Sequence, residues 1–159
     1  MPLQAFFQAC DQSALGHAMR NSVWLFPLIE ALHLLALGLL GGTVLIVDLR
    51  LFGAVLNREP VSRLAREVEP WTIGGLAAML ISGLLLFFSE AVKMYGNGAF
   101  RMKLIFLTLA VMYAFTVHRR VVLDDTARSP MRGRIAAVVS LALWAGVGLC
   151  GRAIGFLKA

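Results

Sequence analysis

The sequence predicts an all-α integral membrane protein: an antiparallel four-helix bundle with a short N-terminal surface helix. Three observations lead to this fold class. Of the 159 residues, 59% are hydrophobic and 15% are charged, whereas soluble domains carry about 25% charged residues. Four apolar segments are long enough for a hydrocarbon core that needs roughly 20 helical residues. The connections between them are short, as expected for helices that alternate in direction.

Length and composition also limit the function. A chain of this length forms one domain, here the whole of residues 1–159. Fifteen Gly and ten Phe among Leu, Ala and Val runs are typical of packed membrane helices and exclude a secreted β-barrel or a disulfide scaffold. The net charge of +6 comes from cations that flank apolar runs. Without one basic face, no nucleic acid is expected as a partner.

The sequence predicts a surface helix followed by four membrane spans. A partly amphipathic surface helix is predicted over residues 2–20, with Leu3, Phe6 and Phe7 on one side. The second membrane span has Pro70 in its first turn, where the missing N–H costs little. The four spans cover about residues 22–55, 70–91, 100–122 and 134–153.

The connections are predicted as irregular structure. A polar loop covers residues 57–69, a turn with Gly96-Asn97-Gly98 covers 93–99, and a basic loop covers 119–134. We call the side that carries both termini and the 93–99 turn face B, and the opposite side face A. Cys10 and Cys150 both lie near face B, and the sequence leaves open whether they pair.

The positive charges predict an orientation. Face B carries six Lys and Arg residues, whereas face A carries nine, which are Arg50, Arg58, Arg63, Arg66, Arg119, Arg120, Arg128, Arg132 and Arg134. The positive-inside rule then places face A in the cytoplasm and both termini on the periplasmic side.

Ionisable residues inside a span are costly, and each is a candidate functional residue. Asp48 lies fifteen residues beyond His33, about 22 Å along the helix axis and about 60° around it. Lys103 and His118 on the third span have the same separation. We therefore expect two polar layers. The face-B layer contains Glu30, His33, Glu90 and Lys103, and the face-A layer contains Asp48 and His118 with Arg50.

The histidines have two interpretations. A neutral imidazole can be an axial ligand of haem iron in a bundle interior, or it can form an interhelical hydrogen bond; both apply to His33 and His118. Lys103 could ligate in its neutral form, or pair with a carboxylate or a haem propionate. His17, on the surface helix, is another candidate second ligand. Arg152, at the end of the fourth span, is a candidate cofactor-binding residue near face B.

Two other metal sites follow from the residue types. Glu30-x-x-His33 resembles half of a di-iron motif, but the second Glu-x-x-His is missing from the sequence. Copper stays open as the alternative cofactor, because imidazole together with thioether suits Cu(I). Its donors would come from His17, Met19, Met94 and Met102.

Several segments carry a resemblance to known membrane families. They are WLFPLIEALH at residues 24–33, VDLRL at 47–51, Pro70-Trp71, FRMKL at 100–104, and His118. Through them, most of residues 13–120 resembles a bacterial family of small four-helix membrane proteins of unknown function. That family is in turn similar to the four-helix membrane protoporphyrinogen oxidases and, more distantly, to the copper-resistance D-type membrane proteins.

The oxidase resemblance implies that His33 and Lys103 handle a b-type haem or a porphyrin, with His118 as a second functional residue. We therefore expect a haem b protein of the bacterial inner membrane, a homodimer or larger, that acts as a haem-dependent oxidoreductase with a quinone or porphyrin-like electron donor. Three carboxylates are the candidate catalytic proton carriers: Glu30, Asp48 and Glu90. The alternatives are a copper-handling protein and a cofactor-free membrane anchor for a partner subunit.

Overall fold

The computed structural model describes residues 2–56, 58–124 and 130–156, without the side chains of residues 2 and 3. All regular elements in these ranges are helices, which confirms the predicted fold class. Four of the helices are long and apolar enough to cross a membrane. Arg128, which the charge count places on face A, and the side chain of Leu3 lie outside the described part.

The N-terminal segment forms two helices, α1 (Pro2–Asp11) and α2 (Ala14–Asn21), where one helix was predicted. The break has a local cause, because the Ser13 Oγ accepts a hydrogen bond of 3.1 Å from the Gly16 N–H and caps α2. Serine is a favourable N-cap because its side chain satisfies an amide that the new helix leaves free.

The first two membrane helices are α3 (Leu25–Phe52) and α4 (Val61–Ser89). The prediction that α4 begins at Pro70, after a polar loop, is wrong for residues 61–69, since α4 begins at Val61 and continues through the proline. The proline removes one backbone hydrogen bond. The buried Val61 side chain and the partly buried Val68 side chain pack into the core next to α3, and this burial offsets the loss.

The remaining elements are a short helix α5 (Ala91–Gly96), a third long helix and α8 (Pro130–Phe156). The third long helix consists of α6 (Gly98–Tyr113), a π-helical turn (Ala114–His118) and α7 (Arg119–Leu123). The predicted 93–99 turn is therefore partly helical. The predicted basic loop keeps only its middle, between α7 and α8.

Helix packing leaves one side of the bundle loose. The α3 helix packs along both α4 and α8, and α6 packs along α8. The α4 helix reaches the third long helix mainly at α7, and within the described residues α4 and α6 make few close backbone contacts. We call the gap between these two helices the α4–α6 seam. Both candidate sites described below lie along it.

Candidate functional site

A cavity of about 380 Å³ lies at the face-B end of the α4–α6 seam. We call it the face-B cavity. Four aromatic rings contribute to its wall, those of Phe6, Phe7, Phe87 and Phe100. Among the described residues, the lining is apolar except for His33 from α3 and Lys103 from α6. The expectation that these two residues lie at one level of the membrane agrees with this arrangement.

Hydrogen bonding identifies the tautomer of His33. Its Nδ1 lies 2.8 Å from the Ser82 Oγ, and the Ser82 hydroxyl donates its proton to the Ala78 carbonyl oxygen at 2.6 Å. Because a serine hydroxyl has a single proton, Ser82 must accept from His33, and Nδ1 carries the hydrogen. In the neutral ring, the lone pair is therefore on Nε2, and the Met79 backbone is a further hydrogen-bonding neighbour of this imidazole.

Gly83 gives the His33 ring its room. A Cβ at this position of α4 would lie 3.1 Å from the Cε1 of His33, which is closer than most real Cβ contacts. The imidazole therefore rests against bare backbone, one residue after the serine that orients it. Sequence alone does not distinguish Gly83 from the other glycines of this helix.

Lys103 lines the same cavity from α6. Its Nζ would lie 3.6 Å from a Cβ added at Gly151 of α8, so the glycine leaves space for the lysine side chain. Lys103 also interacts electrostatically with His33. No carboxylate among the described residues pairs with its ammonium group. A partly buried cation without a counter-ion is costly in a membrane interior.

The carboxylates predicted for the face-B layer do not join Lys103. Glu90 forms an ion pair of 3.0 Å with Lys93, because α4 ends at Ser89 and a lysine three residues along the chain is the nearer cation. Glu30 is exposed on α3, one helical turn closer to face B, where a carboxylate keeps its hydration. Of the roles that the sequence leaves open for Lys103, the structure does not show the pairing with either glutamate, and the role of these glutamates as proton carriers stays a prediction.

The face-A layer is a buried pair. His118 Nε2 lies 2.6 Å from Asp48 Oδ1, which confirms that these two residues meet. Asp48 is fully buried, and its Oδ2 has no hydrogen-bond partner among the described residues. Arg50, expected in the same layer, donates from Nε to the Glu59 carbonyl oxygen at 2.8 Å.

His118 is the last residue of the π-helical turn. Such turns insert one residue into an α-helix and are frequent at functional sites. Beside it, the Tyr113 hydroxyl donates to the Ala136 carbonyl oxygen at 3.2 Å, and the Tyr113 ring centroid lies 6.2 Å from that of His118. Neither the turn nor the role of Tyr113 has a signal in the sequence pattern.

A second cavity, of about 130 Å³, adjoins this pair, and we call it the face-A cavity. His118 and Trp144 are part of its wall, and Arg66 lies at the end nearest face A. Glu69 and Arg119 also line it and form an ion pair of 3.1 Å. The face-A cavity therefore combines an apolar interior with charged groups at one end.

The two histidines belong to different sites. His33 lines the face-B cavity and His118 the face-A cavity, and they are separated by about 22 Å of helix rise, since Asp48 lies fifteen residues beyond His33. The assignment of His118 as a second ligand to an iron held by His33 is therefore wrong. Among the described residues, the other polar side chain that lines the face-B cavity is Lys103.

The remaining predicted site residues lie outside the face-B cavity. His17 is exposed on α2, and the guanidinium of Arg152 stacks 5.5 Å above the Phe156 ring. Of the copper candidates, Met19 and Met94 are buried, whereas Met102 is exposed. The described residues contain no group of three or more His, Cys, Asp or Glu side chains that could hold a metal ion.

Comparison with known proteins supplies a family and no activity. The profile of a family of unknown function (DUF6644) matches residues 6–157. No curated protein matches the chain, and no solved structure matches it either. The resemblance to a family of unknown function is thus confirmed, whereas the resemblances to protoporphyrinogen oxidases and copper-resistance proteins gain no support.

Proposed function

Because the chain belongs to a family of unknown function (DUF6644), we propose its function from the site: it is an integral membrane protein that binds haem b in the face-B cavity and takes part in electron transfer. One observation carries the proposal. The Nε2 of His33 has a free lone pair in the neutral ring and belongs to a residue that lines an apolar cavity of about 380 Å³. Pockets for cofactors commonly measure about 300–1,000 Å³.

The chemistry of the face-B cavity fits a haem in three respects. Histidine ligands of metals usually donate their other N–H to a fixed acceptor, as His33 does to Ser82. The aromatic and aliphatic wall suits the flat porphyrin ring. Lys103 provides a positive charge that no described carboxylate neutralises, and a haem propionate would neutralise it.

A bound haem b supplies reversible one-electron chemistry between Fe(III) and Fe(II). The chain contributes the environment. His33 provides the ligand nitrogen, Ser82 keeps its ring in the ligating tautomer, and the phenylalanines exclude water. Lys103 would hold a propionate or, in its neutral form, would offer its amine to the iron. Because α4 and α6 make few close backbone contacts and meet near the face-B cavity through the stacked Phe87 and Phe100 rings, a quinone or porphyrin-like partner could approach from the lipid through the α4–α6 seam by displacing side chains.

The location and assembly belong to the same proposal. The excess of Lys and Arg on face A supports an orientation with face A in the cytoplasm of a bacterium and both termini in the periplasm. The face-B cavity would then lie in the periplasmic half of the inner membrane. We propose a homodimer, for which the ratio of haem to chain is the first measurement, since one haem per two chains would require a shared site.

The test is an absorption spectrum of protein purified in mild detergent from haem-replete cells, oxidised and then reduced with dithionite, with a pyridine haemochrome assay. We expect a Soret band that shifts on reduction in the native protein and is lost in His33→Ala. His118→Ala is the matched control and should keep the haem. A colourless native protein, or full haem occupancy in His33→Ala, overturns the proposal.

The same samples test the alternatives. Copper that is lost in His17→Ala and retained in His33→Ala would indicate a copper-handling protein. A colourless and metal-free protein that becomes stable only with a co-purifying subunit would indicate a membrane anchor.

A further inference from the structure

The Asp48–His118 pair has the arrangement of an oriented base. A carboxylate only accepts hydrogen bonds, so the His118 Nε2 carries a hydrogen and donates it to Asp48 Oδ1 at 2.6 Å. In the neutral ring, the lone pair is then on Nδ1. A carboxylate that holds an imidazole in this way also stabilises the imidazolium that forms when the free nitrogen takes a proton.

The second oxygen of Asp48 gives an independent indication. Asp48 is fully buried, yet Oδ2 has no partner among the described residues. A pair built only for stability would satisfy this atom, because an unsatisfied buried acceptor costs free energy. The missing bond leaves the negative charge of the carboxylate directed largely at His118. Among the described residues, the polar groups near this pair include the Tyr113 hydroxyl, the Glu69–Arg119 ion pair and, in the same cavity wall as His118, Arg66 and Ser140.

The size and lining of the face-A cavity indicate the class of ligand that it can bind. Its volume is about 130 Å³, close to the roughly 150 Å³ of an engineered cavity that holds benzene, so one six-membered ring fits. Arg66 and the Glu69–Arg119 pair lie towards the headgroup end, and aliphatic and aromatic side chains line the interior. The α4–α6 seam leaves this cavity accessible from the lipid as well. An aromatic ring on an apolar tail meets these conditions, and the base requires an acidic hydroxyl on that ring.

We propose that the face-A cavity binds a lipid-soluble hydroquinone or phenol and that the Asp48–His118 pair accepts its hydroxyl proton. In this step the O–H bond breaks, and the proton forms a bond to His118 Nδ1. The hydrogen on Nε2 stays on the ring and continues to be donated to Asp48 Oδ1, and the phenolate accepts a hydrogen bond from the new Nδ1–H. No electrons move, and the Asp48 carboxylate balances the charge of the imidazolium. The inference rests on the proposed function only where it names a hydroquinone as the electron donor, because binding and deprotonation need no haem.

The experiment measures binding and proton transfer separately. The probe is 4-nitrophenol with a ten-carbon tail, whose ionised form absorbs visible light. The protein carries Trp24→Phe and Trp71→Phe, both at exposed positions, so that Trp144 in the cavity wall reports binding through quenching. We expect saturable quenching of Trp144 together with a rise in the phenolate band, relative to detergent without protein.

Four variants show which residues are responsible for the quenching of Trp144 and for the phenolate band. In Asp48→Asn the side-chain amide can donate to Nε2 and reverse the tautomer, so the ionised fraction of bound probe should fall about tenfold. His118→Gln removes the base and keeps an amide that can donate a hydrogen bond to Asp48. Val111→Phe fills the cavity without altering the pair and should abolish quenching. His33→Ala should change neither probe-induced signal, each taken as the difference from the same protein without probe so that the loss of haem absorption and haem quenching cancels.

Each alternative outcome has a clear meaning. Quenching without a phenolate band would show that the pair is a structural ion pair, and would overturn the inference. An equal phenolate band in all variants would trace ionisation to the detergent micelle and overturn it too. Loss of haem in His33→Ala with an unchanged probe signal supports both proposals. A colourless native protein that still ionises the probe would remove the haem proposal alone.

Discussion

Ser82 and His33 are linked by a hydrogen bond of 2.8 Å in which the imidazole donates. The direction is set one turn earlier, because the Ser82 hydroxyl is committed to the Ala78 carbonyl oxygen. A serine that bonds to its own helix thus determines which nitrogen of a histidine on the neighbouring helix carries the lone pair. The face-B cavity can be tested through this link without changing any group that would touch a ligand.

The first prediction concerns this link. Ser82→Ala removes the acceptor for Nδ1–H, so the ring can rotate or change tautomer, and haem affinity should fall about 10- to 100-fold. Haem titration of the apo-protein measures the change. Ser82→Thr keeps the hydroxyl and serves as the control. Equal affinities in all three proteins would contradict the tautomer assignment.

The second prediction uses the glycines of α4. Gly83→Ala places a methyl group 3.1 Å from the His33 Cε1 and should push the ring away, which lowers haem occupancy. Gly74→Ala on the same helix has nothing within 4 Å of its new methyl group and should leave occupancy unchanged. Haem per chain, from the pyridine haemochrome assay, measures both. A similar loss in both variants would indicate a general effect on α4 instead of contact with His33.

The third prediction separates stability from binding at Lys103. Lys103→Met removes a partly buried cation that lacks a counter-ion, so the apo-protein should become more stable, by roughly 1–3 kcal/mol. The same change should weaken haem binding, because the propionate or ligand role is lost. Lys103→Arg keeps the charge and is the control. Thermal unfolding in detergent and haem titration should therefore move in opposite directions, and a parallel decrease would show that Lys103 stabilises the fold.

The fourth prediction concerns the Asp48–His118 pair as a contribution to folding. His118→Leu leaves the buried Asp48 without its hydrogen-bond donor and should destabilise the protein by about 3–5 kcal/mol. The double variant Asp48→Leu/His118→Leu removes both polar groups and should recover most of that loss. Unfolding free energies from denaturant titration in mixed micelles measure both variants. A double variant as unstable as His118→Leu would mean that packing volume, not the buried charge, is responsible.

Counting residues along the helices predicts which distant side chains pair better than it predicts where the helices begin and end. The fifteen-residue spacing shared by His33 and Asp48 and by Lys103 and His118 places Asp48 against His118, because two parallel helices keep equal rises. The same arithmetic fails for Glu90, since Lys93 lies three residues away and forms the ion pair first. Local neighbours of that kind are invisible to an argument based on depth in the membrane.

Helix limits depend on packing that composition does not show. The residues before Pro70 are polar and the proline usually marks a start, yet Val61 is buried against the bundle and extends α4 by more than two turns. The π-helical turn is a further case, because an extra residue in a turn leaves the apolar pattern around His118 almost unchanged. Only the backbone hydrogen bonding of the folded helix reveals it.

The loose contact between α4 and α6 has a consequence for how the protein would acquire any ligand. A bundle closed on all sides has to fold around its cofactor, whereas this bundle can complete folding first and admit a flat molecule sideways from the bilayer. Until that happens, we expect acyl chains to fill the gap. A ligand then competes with lipid for this gap. Its measured affinity should therefore depend on the length and saturation of the acyl chains in the surrounding membrane.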